Sequence, residues 1–298
     1  SSRRKPGPSF LFTGSKNKLG PGLRRDDDVS FNRVQAANWL AKTGLPDGGS
    51  SLPAMTIIPP PSSQIQHLDP DLLLRAYGAG MFPMGETRAA PDVFWVEPKI
   101  RGVLPLDGFH LPRSLAKVIR ADRFEVTVDR AFGDVMAGCA AAAEGREESW
   151  INATITEAYT ELFDRGAAHS VECWQHGKLV GGLYGVKIGA AFFGESMFTR
   201  VRDASKVALA HLVARLRFGG FTLLDTQFLT EHLSHFGAKA VPRAAYRGLL
   251  ASAVAGSGDF GALDARFGDL SPDPGREATT VSGPVAGKVI VQLLTQTS

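Results

Sequence analysis

The chain has 298 residues, is 44% hydrophobic and carries a formal net charge of +3. That length buries a sizeable core in one large or two modest domains. No run of about 18 uncharged apolar residues occurs, which argues against a membrane-spanning helix.

The charge is unevenly spread. Residues 1–54 hold nine Lys or Arg against four Asp, a net of +5, so the remainder carries −2. Nucleic-acid contact by the folded part must therefore rest on a local patch. The first 54 residues are Ser, Gly, Pro and Arg with little periodicity, and are expected to be disordered. No apolar core follows the basic start, and Asp26-Asp27-Asp28 is unlike a transit peptide. Met55 is the first methionine, so residues 1–54 are expected to be upstream sequence read in frame. The two cysteines, Cys139 and Cys173, lie far apart and fit small buried side chains in a reducing cytoplasm.

After a Pro-rich lead at 59–61, Asp69 is a helix cap with Pro70 in the first helical position. Leu72, Leu73, Ala76 and Tyr77 give that helix its apolar face before Gly78. Gly80-Met81-Phe82-Pro83-Met84 reads as a buried loop, and Phe94-Trp95-Val96 as a short strand. Residues 112–120 suggest a basic helix and 123–128 an alternating strand.

Asn152 caps a helix with Ile155, Ala158, Tyr159, Leu162 and Phe163 on one face, ended by Gly166. Strands are expected at about 169–175, 178–187 and 191–198, with His176-Gly177 as a hairpin turn. Asp203 caps the next helix, which shows Val207, Ala208, His211, Leu212 and Leu216 before Gly219-Gly220. A strand at 221–227 and a short helix to about 236 follow. Beyond 255 the composition turns to Gly, Ser, Asp and Pro. A mobile tail is expected there, with one strand at 288–294. Antiparallel strands, then a helix, then another strand is an α+β order rather than a doubly wound sheet.

Chemistry concentrates in the later strands. Alternate residues of a strand share a face, so Asp225 and Gln227 are expected to project together, away from Leu224, Thr226 and Phe228. A carboxylate beside an amide can orient an amine and take its proton, or can simply bond a neighbouring turn. Glu195, next to Ser196, sits amid Phe192, Phe193, Met197 and Phe198. A carboxylate there needs a partner or a raised pKa. Asp203-Ala204-Ser205-Lys206 opens a helix with free N–H groups, which suits an anion and equally suits ordinary capping. Trp95 and Trp150 can stack on a base or pack in a core. Arg113 and Lys117, with Arg120 nearby, form a basic helix face that meets phosphates or only solvent. His232 and His235 lack metal-site spacing, and the glycines at 181–194 make no phosphate loop, so neither metal nor cofactor is expected.

These segments together resemble the bacterial leucyl/phenylalanyl-tRNA–protein transferases. The matching stretches are Tyr77 to Pro83, Trp95 to Arg101, Phe109 to Ser114 with Lys117, and Trp150-Ile151. They continue with Ala168 to Glu172 with Trp174, Leu179 to Gly185, Gly194 to Phe198, Ala204-Ser205-Lys206, Asp225 with Gln227, and Pro242-Arg243. The resemblance runs in order over about 67–250. It implies an acetyltransferase-like (GNAT) domain, placed at 121–254, behind a smaller α/β domain at 55–120; the expected tail at 255–298 lies outside it.

It also implies transfer of Leu or Phe, and Met less well, from charged tRNA to proteins beginning with Arg or Lys. Such transfer marks them for degradation in a cytoplasmic N-degron pathway, by an enzyme expected to be monomeric. Asp225 and Gln227 would be the catalytic pair, and Glu195 would orient the α-amine of the aminoacyl group. Leu183, Phe192 and Met197 would line the apolar pocket. Trp150 would contact the 3′-adenosine, and Arg113 with Lys117 the acceptor stem. Many members read Trp-Trp-Ser-Pro where this chain has Trp95-Val96-Glu97-Pro98, so one stacking aromatic is replaced by Val96. Thr226 stands where Cys is frequent, and is expected to point away from the pair. Two other readings compete: an acetyl-CoA-dependent N-acyltransferase, whose pyrophosphate loop is not evident at 199–206, and a non-enzymatic tRNA-binding adaptor.

Overall fold

The computed structural model describes residues 67–85, 87–89, 92–142, 149–267 and 284–296, with the backbone of 55–58. The expected extension at 1–54 and the Pro-rich lead lie outside the described residues.

Two sheets organise the chain. The smaller is antiparallel in the order β1-β3-β2, formed by β1 (Met55–Ile58), β2 (Phe82–Gly85) and β3 (Val93–Pro98). Before it, α1 (Pro70–Gly78) begins where expected, the Asp69 side chain accepting the Asp71 N–H at 2.9 Å. Leu73, Ala76 and Tyr77 are buried, but Leu72 is 41% exposed and so is no part of the inner face. The loop expected at 80–84 is instead partly β2. Its four residues are buried, and Pro83 is tolerated because β2 is an edge strand.

Lys99 alone separates β3 from β4 (Ile100–Val103), which crosses into the larger sheet, ordered β10-β4-β9-β8-β7-β6-β5. Ile100–Arg120, expected to go with the N-terminal domain, thus contribute β4 and the helix α2 (Arg113–Arg120) to the larger sheet's assembly. β5 (Glu125–Val128) forms the far edge, followed by α3 (Phe132–Ala140). The helix α3 was not expected from sequence, for it has no capping side chain and is rich in Gly and Ala. Gly138 is required there, since a Cβ would lie 2.7 Å from the Phe198 ring.

The helix α4 (Ala153–Asp164) starts at Asn152, whose side chain accepts the Ile155 N–H at 2.9 Å. The meander β6 (Ala168–Gln175), β7 (Lys178–Ile188) and β8 (Ala191–Thr199) agrees with expectation. Its first turn puts His176 and Gly177 at φ +51° and +70°, the pattern a type I′ hairpin requires. The helix α5 (Ala204–Phe218) is buried from Ala204 to Leu216 apart from Lys206. Asp203 occupies its N-cap position in a left-handed conformation, without the expected side-chain capping bond. The chain then forms β9 (Leu223–Gln227), α6 (Glu231–His235), β10 (Lys239–Pro242) and α7 (Arg243–Ala255).

The expected strand at 288–294 is a helix. After α8 (Ala262–Phe267), α9 (Gly287–Thr295) buries Ile290, Val291 and Leu294 against α2 and α5. An apolar run with β-branched residues reads as strand or buried helix alike, so packing decides. Gly287 permits the approach, because a Cβ would overlap the Ile119 carbonyl oxygen. Phe260, Leu263 and Val285 join the same core, so the described parts of the expected tail supply buried side chains.

Apolar clusters cover both faces of the large sheet. Leu183 and Phe192 belong to the α5 side, while their neighbours Tyr184 and Phe193 belong to the side of α1, α3, α4 and α7. That alternation is why the sheet is apolar almost throughout.

Candidate active site

β8 and β9 are parallel neighbours, the only parallel pair in the larger sheet as described. They pair through Ala191–Leu223, Phe192–Leu224 and Phe193–Asp225, and there the pairing ends. On the other side of β8, Tyr184 pairs with Ser196 and Gly185 with Gly194, leaving Glu195 as an extra residue. The bulge disrupts the ladder there, and the unpaired gap between β8 and β9 beyond Phe193 and Asp225 forms a wedge. Across the wedge, Gln227 Nε2 donates to Glu195 Oε1 at 3.0 Å.

A pocket of about 540 Å³, counting its open mouth, occupies the α5 side of this wedge. Leu183, Met197, Leu209, Leu212, Leu224 and Leu233 make its apolar wall. Ser196, Thr226, Thr230, Glu195 and Gln227 supply the polar positions. The structure therefore brings Glu195, Ser196, Gln227, Leu183 and Met197 together around one pocket.

Asp225 stands apart from that lining. It is wholly buried, on the opposite face of β9 from Leu224 and Thr226. Arg101 Nε donates to its two oxygens at 3.0 and 2.9 Å, and Arg101 Nη2 to Oδ2 at 2.7 Å. Tyr246 Oη donates to Oδ2 at 2.5 Å and the Gln227 backbone N–H to Oδ1 at 2.7 Å. The shared face expected for Asp225 and Gln227 is thus corrected: Thr226, expected to point away from the pair, lies opposite Asp225 but lines the pocket with Gln227. Gln227 has φ +55°, which ends the strand's alternation and turns its side chain toward Glu195.

Glu195 also accepts a hydrogen bond from Tyr159 Oη at 3.2 Å, and Tyr159 is bonded in turn to Tyr77. Burial pushes the Glu195 carboxyl up to about 8, with Asp225 adding to the rise and the two tyrosines and Arg101 opposing it. Burial drives the Tyr77 and Tyr159 hydroxyls well above their ordinary range, so both remain donors at neutral pH.

The remaining expected residues are dispersed. Trp95 and Trp150 are buried in the core beneath the small sheet, so they pack rather than present a face for stacking. Phe192 does not line the pocket; it stacks on Phe260 and meets Phe221 edge-on. Arg113, Lys117 and Arg120 share the exposed side of α2, whose Leu115, Ala116 and Ile119 face inward. Among the described residues, no three His, Cys, Asp or Glu side chains converge as a metal site requires.

Sequence reasoning gave no role to Arg101, Tyr246, Tyr159 or Tyr77. A signal existed, since an arginine in a short apolar strand and tyrosines on apolar helix faces all need buried partners. Which partners they find is set by the fold.

Comparison with known proteins gives the family. Residues 66–99 match the family model of the leucyl/phenylalanyl-tRNA protein transferase N-terminal domain, and 103–251 that of leucyl/phenylalanyl-tRNA protein transferase. The chain is 58% identical over 251 residues to the leucyl/phenylalanyl-tRNA–protein transferase of Rhizorhabdus wittichii, covering 78% of this chain and 99% of that one. It is 59% identical over 196 residues to that of Rhodopseudomonas palustris strain BisB18, covering 66% and 85%. To that of Phenylobacterium zucineum it is 54% identical over 226 residues, covering 76% and 96%. The protein is an aminoacyltransferase. It belongs to the leucyl/phenylalanyl-tRNA protein transferase family.

Proposed function

We propose that the protein transfers Leu or Phe, and Met less well, from aminoacyl-tRNA to the N-terminal Arg or Lys of acceptor proteins, marking them for degradation. The observation that carries this reading is the wedge: an apolar pocket with the Gln227–Glu195 bridge beside it. The donor's side chain occupies the leucine-walled cavity, and its α-amine faces Glu195. The incoming amine donates to the Gln227 carbonyl oxygen, because the Gln227 nitrogen is committed to Glu195.

The ester is already activated, so the site's task is to align the two amino groups and the carbonyl. The acceptor nitrogen attacks the carbonyl carbon. A C–N bond forms, the C–O bond to the tRNA's terminal ribose breaks, and the amine's proton passes to the departing ribose oxygen. Enclosure of Asp225 by Arg101 and Tyr246 supports an orienting role for that carboxylate rather than proton abstraction. Arg113, Lys117 and Arg120 meet phosphates of the acceptor stem.

A mixed seven-stranded sheet with one splayed parallel pair supports a GNAT-like reading of the larger unit, behind a smaller N-terminal domain. The reading places the enzyme in the cytoplasm as a monomer; no described helix is long and apolar enough to cross a membrane. Incubation with radiolabelled Leu-tRNA and an Arg-initiated peptide should label the peptide. Acylation only from acetyl-CoA would replace this reading with that of a general N-acyltransferase.

A further inference from the structure

The two oxygens of Asp225 accept from four donor atoms: Arg101 Nε and Nη2, Tyr246 Oη and the Gln227 backbone nitrogen. A carboxylate offers about four lone-pair sites. Asp225 is also wholly buried and absent from the pocket wall, so it has no free position from which to meet a substrate proton. Its bond to the Gln227 N–H spans the residue pair at which β9 leaves the extended region. A residue with a Cβ adopts φ +55° only when its surroundings hold it there.

Arg101 is what holds Asp225. It is 1% exposed, its Nη1 donates to the Gly80 carbonyl at 3.1 Å, and the Phe82 and Tyr246 rings lie 4.7 and 4.8 Å from its guanidinium carbon. Backbone of the α1–β2 turn, a strand of the small sheet and α7 therefore all fix the fork. Planar, two-pronged donation to a carboxylate is a geometry lysine does not reproduce.

We infer that Arg101 is a positioning residue of the transfer reaction: through Asp225 it sets the left-handed turn of Gln227 and so delivers the Gln227 amide to Glu195. The inference rests on the transferase reading, and it makes the Asp225 charge a partner for Arg101 rather than a participant in the chemistry. What transfer needs from residue 225 is an acceptor for the Gln227 N–H, which an asparagine also provides.

The test is a cycle of Arg101→Gln, Asp225→Asn and the double variant, each assayed in the full chain with Leu-tRNA and an Arg-initiated peptide. Each single change strands a buried charge, and should lower kcat about 100-fold with the KM for Leu-tRNA changed less than about threefold. The double variant is neutral and retains the acceptor, so it should recover at least about tenfold over either single variant. A folded double variant no more active than Asp225→Asn overturns the inference, because the charge itself is then required. Should the single variants fail to fold, the double variant decides alone. Activity within about tenfold of wild type supports the inference, and a greater loss overturns it. Wild-type protein that transfers nothing from Leu-tRNA would instead remove the function proposed above, a distinguishable failure.

Discussion

Gln227 donates to Glu195 across the gap between β8 and β9, at 3.0 Å, just beyond the last backbone pair at Phe193 and Asp225. Each residue is where its strand becomes irregular: Glu195 is the bulge of β8 and Gln227 the left-handed end of β9. Gln227→Ala deletes the bridge while leaving the apolar wall intact. Misplacement of this order costs about 100-fold in rate. Single-turnover transfer of Leu measures it, and an unchanged rate would remove Gln227 from the site.

Glu195 and His211 give the folded protein opposite pH responses. Burial raises Glu195 from an ordinary 4.5 to about 8, so the folded state holds an extra proton between those values. Its contribution is complete below about pH 4.5 and is lost as pH rises through about 8. Burial, aided by Arg215, lowers His211 from 6.5 to about 3, so its contribution is complete above 6.5 and lost as pH falls through 3. From these two groups, stability should be highest between about pH 4.5 and 6.5 and decline on either side. Urea midpoints across about pH 4–9 test this. Glu195→Gln should abolish the alkaline decline alone, and an equal decline in that variant would refute the assignment.

Leu212 lies on α5 facing β8 and β9 and is 1% exposed. Leu212→Ala deepens the pocket, and should raise the Phe-to-Leu ratio of kcat/KM by about tenfold. The same change should cost about 2–5 kcal/mol of stability. Competition between Leu-tRNA and Phe-tRNA reads the ratio, which stays constant if the wedge pocket does not hold the donor side chain.

Ile290 is fully buried where α9 meets α2 and α5. Ile290→Ala should destabilise the protein by about 2–5 kcal/mol. A mobile tail would leave the denaturation midpoint unmoved, so chemical unfolding separates the two descriptions.

The exposed row of Arg113, Lys117 and Arg120 predicts salt-sensitive tRNA binding. Replacing all three with Ala should flatten the plot of log affinity against log salt by about 0.7–0.9 for each phosphate left without its cation. Circular dichroism should be unchanged, since none of the three is buried. A slope equal to wild type would place the tRNA elsewhere.

Much of the architecture is legible in local signals. Asp69 and Asn152 mark their helices through capping bonds, and His176-Gly177 marks its hairpin through left-handed backbone angles. These features depend on residues within a few positions of one another. The helix at 287–295 and the strand at 82–85 were not legible, because short apolar runs lack a decisive period and take their form from what they pack against.

The sequence alone determined the family and the identity of the polar groups in the later strands: a carboxylate at 195 within apolar neighbours, and Asp225 with Gln227 two apart. It could not determine which of them faces the substrate. Strand alternation put Asp225 and Gln227 together, but the irregular register against Gly102 and Val103 and the left-handed Gln227 broke that rule. Tertiary structure alone brought Arg101, 124 residues away, onto Asp225, and Tyr159 onto Glu195. A buried charge must find its partner wherever the fold provides one, and that partner's identity is a property of packing rather than of spacing.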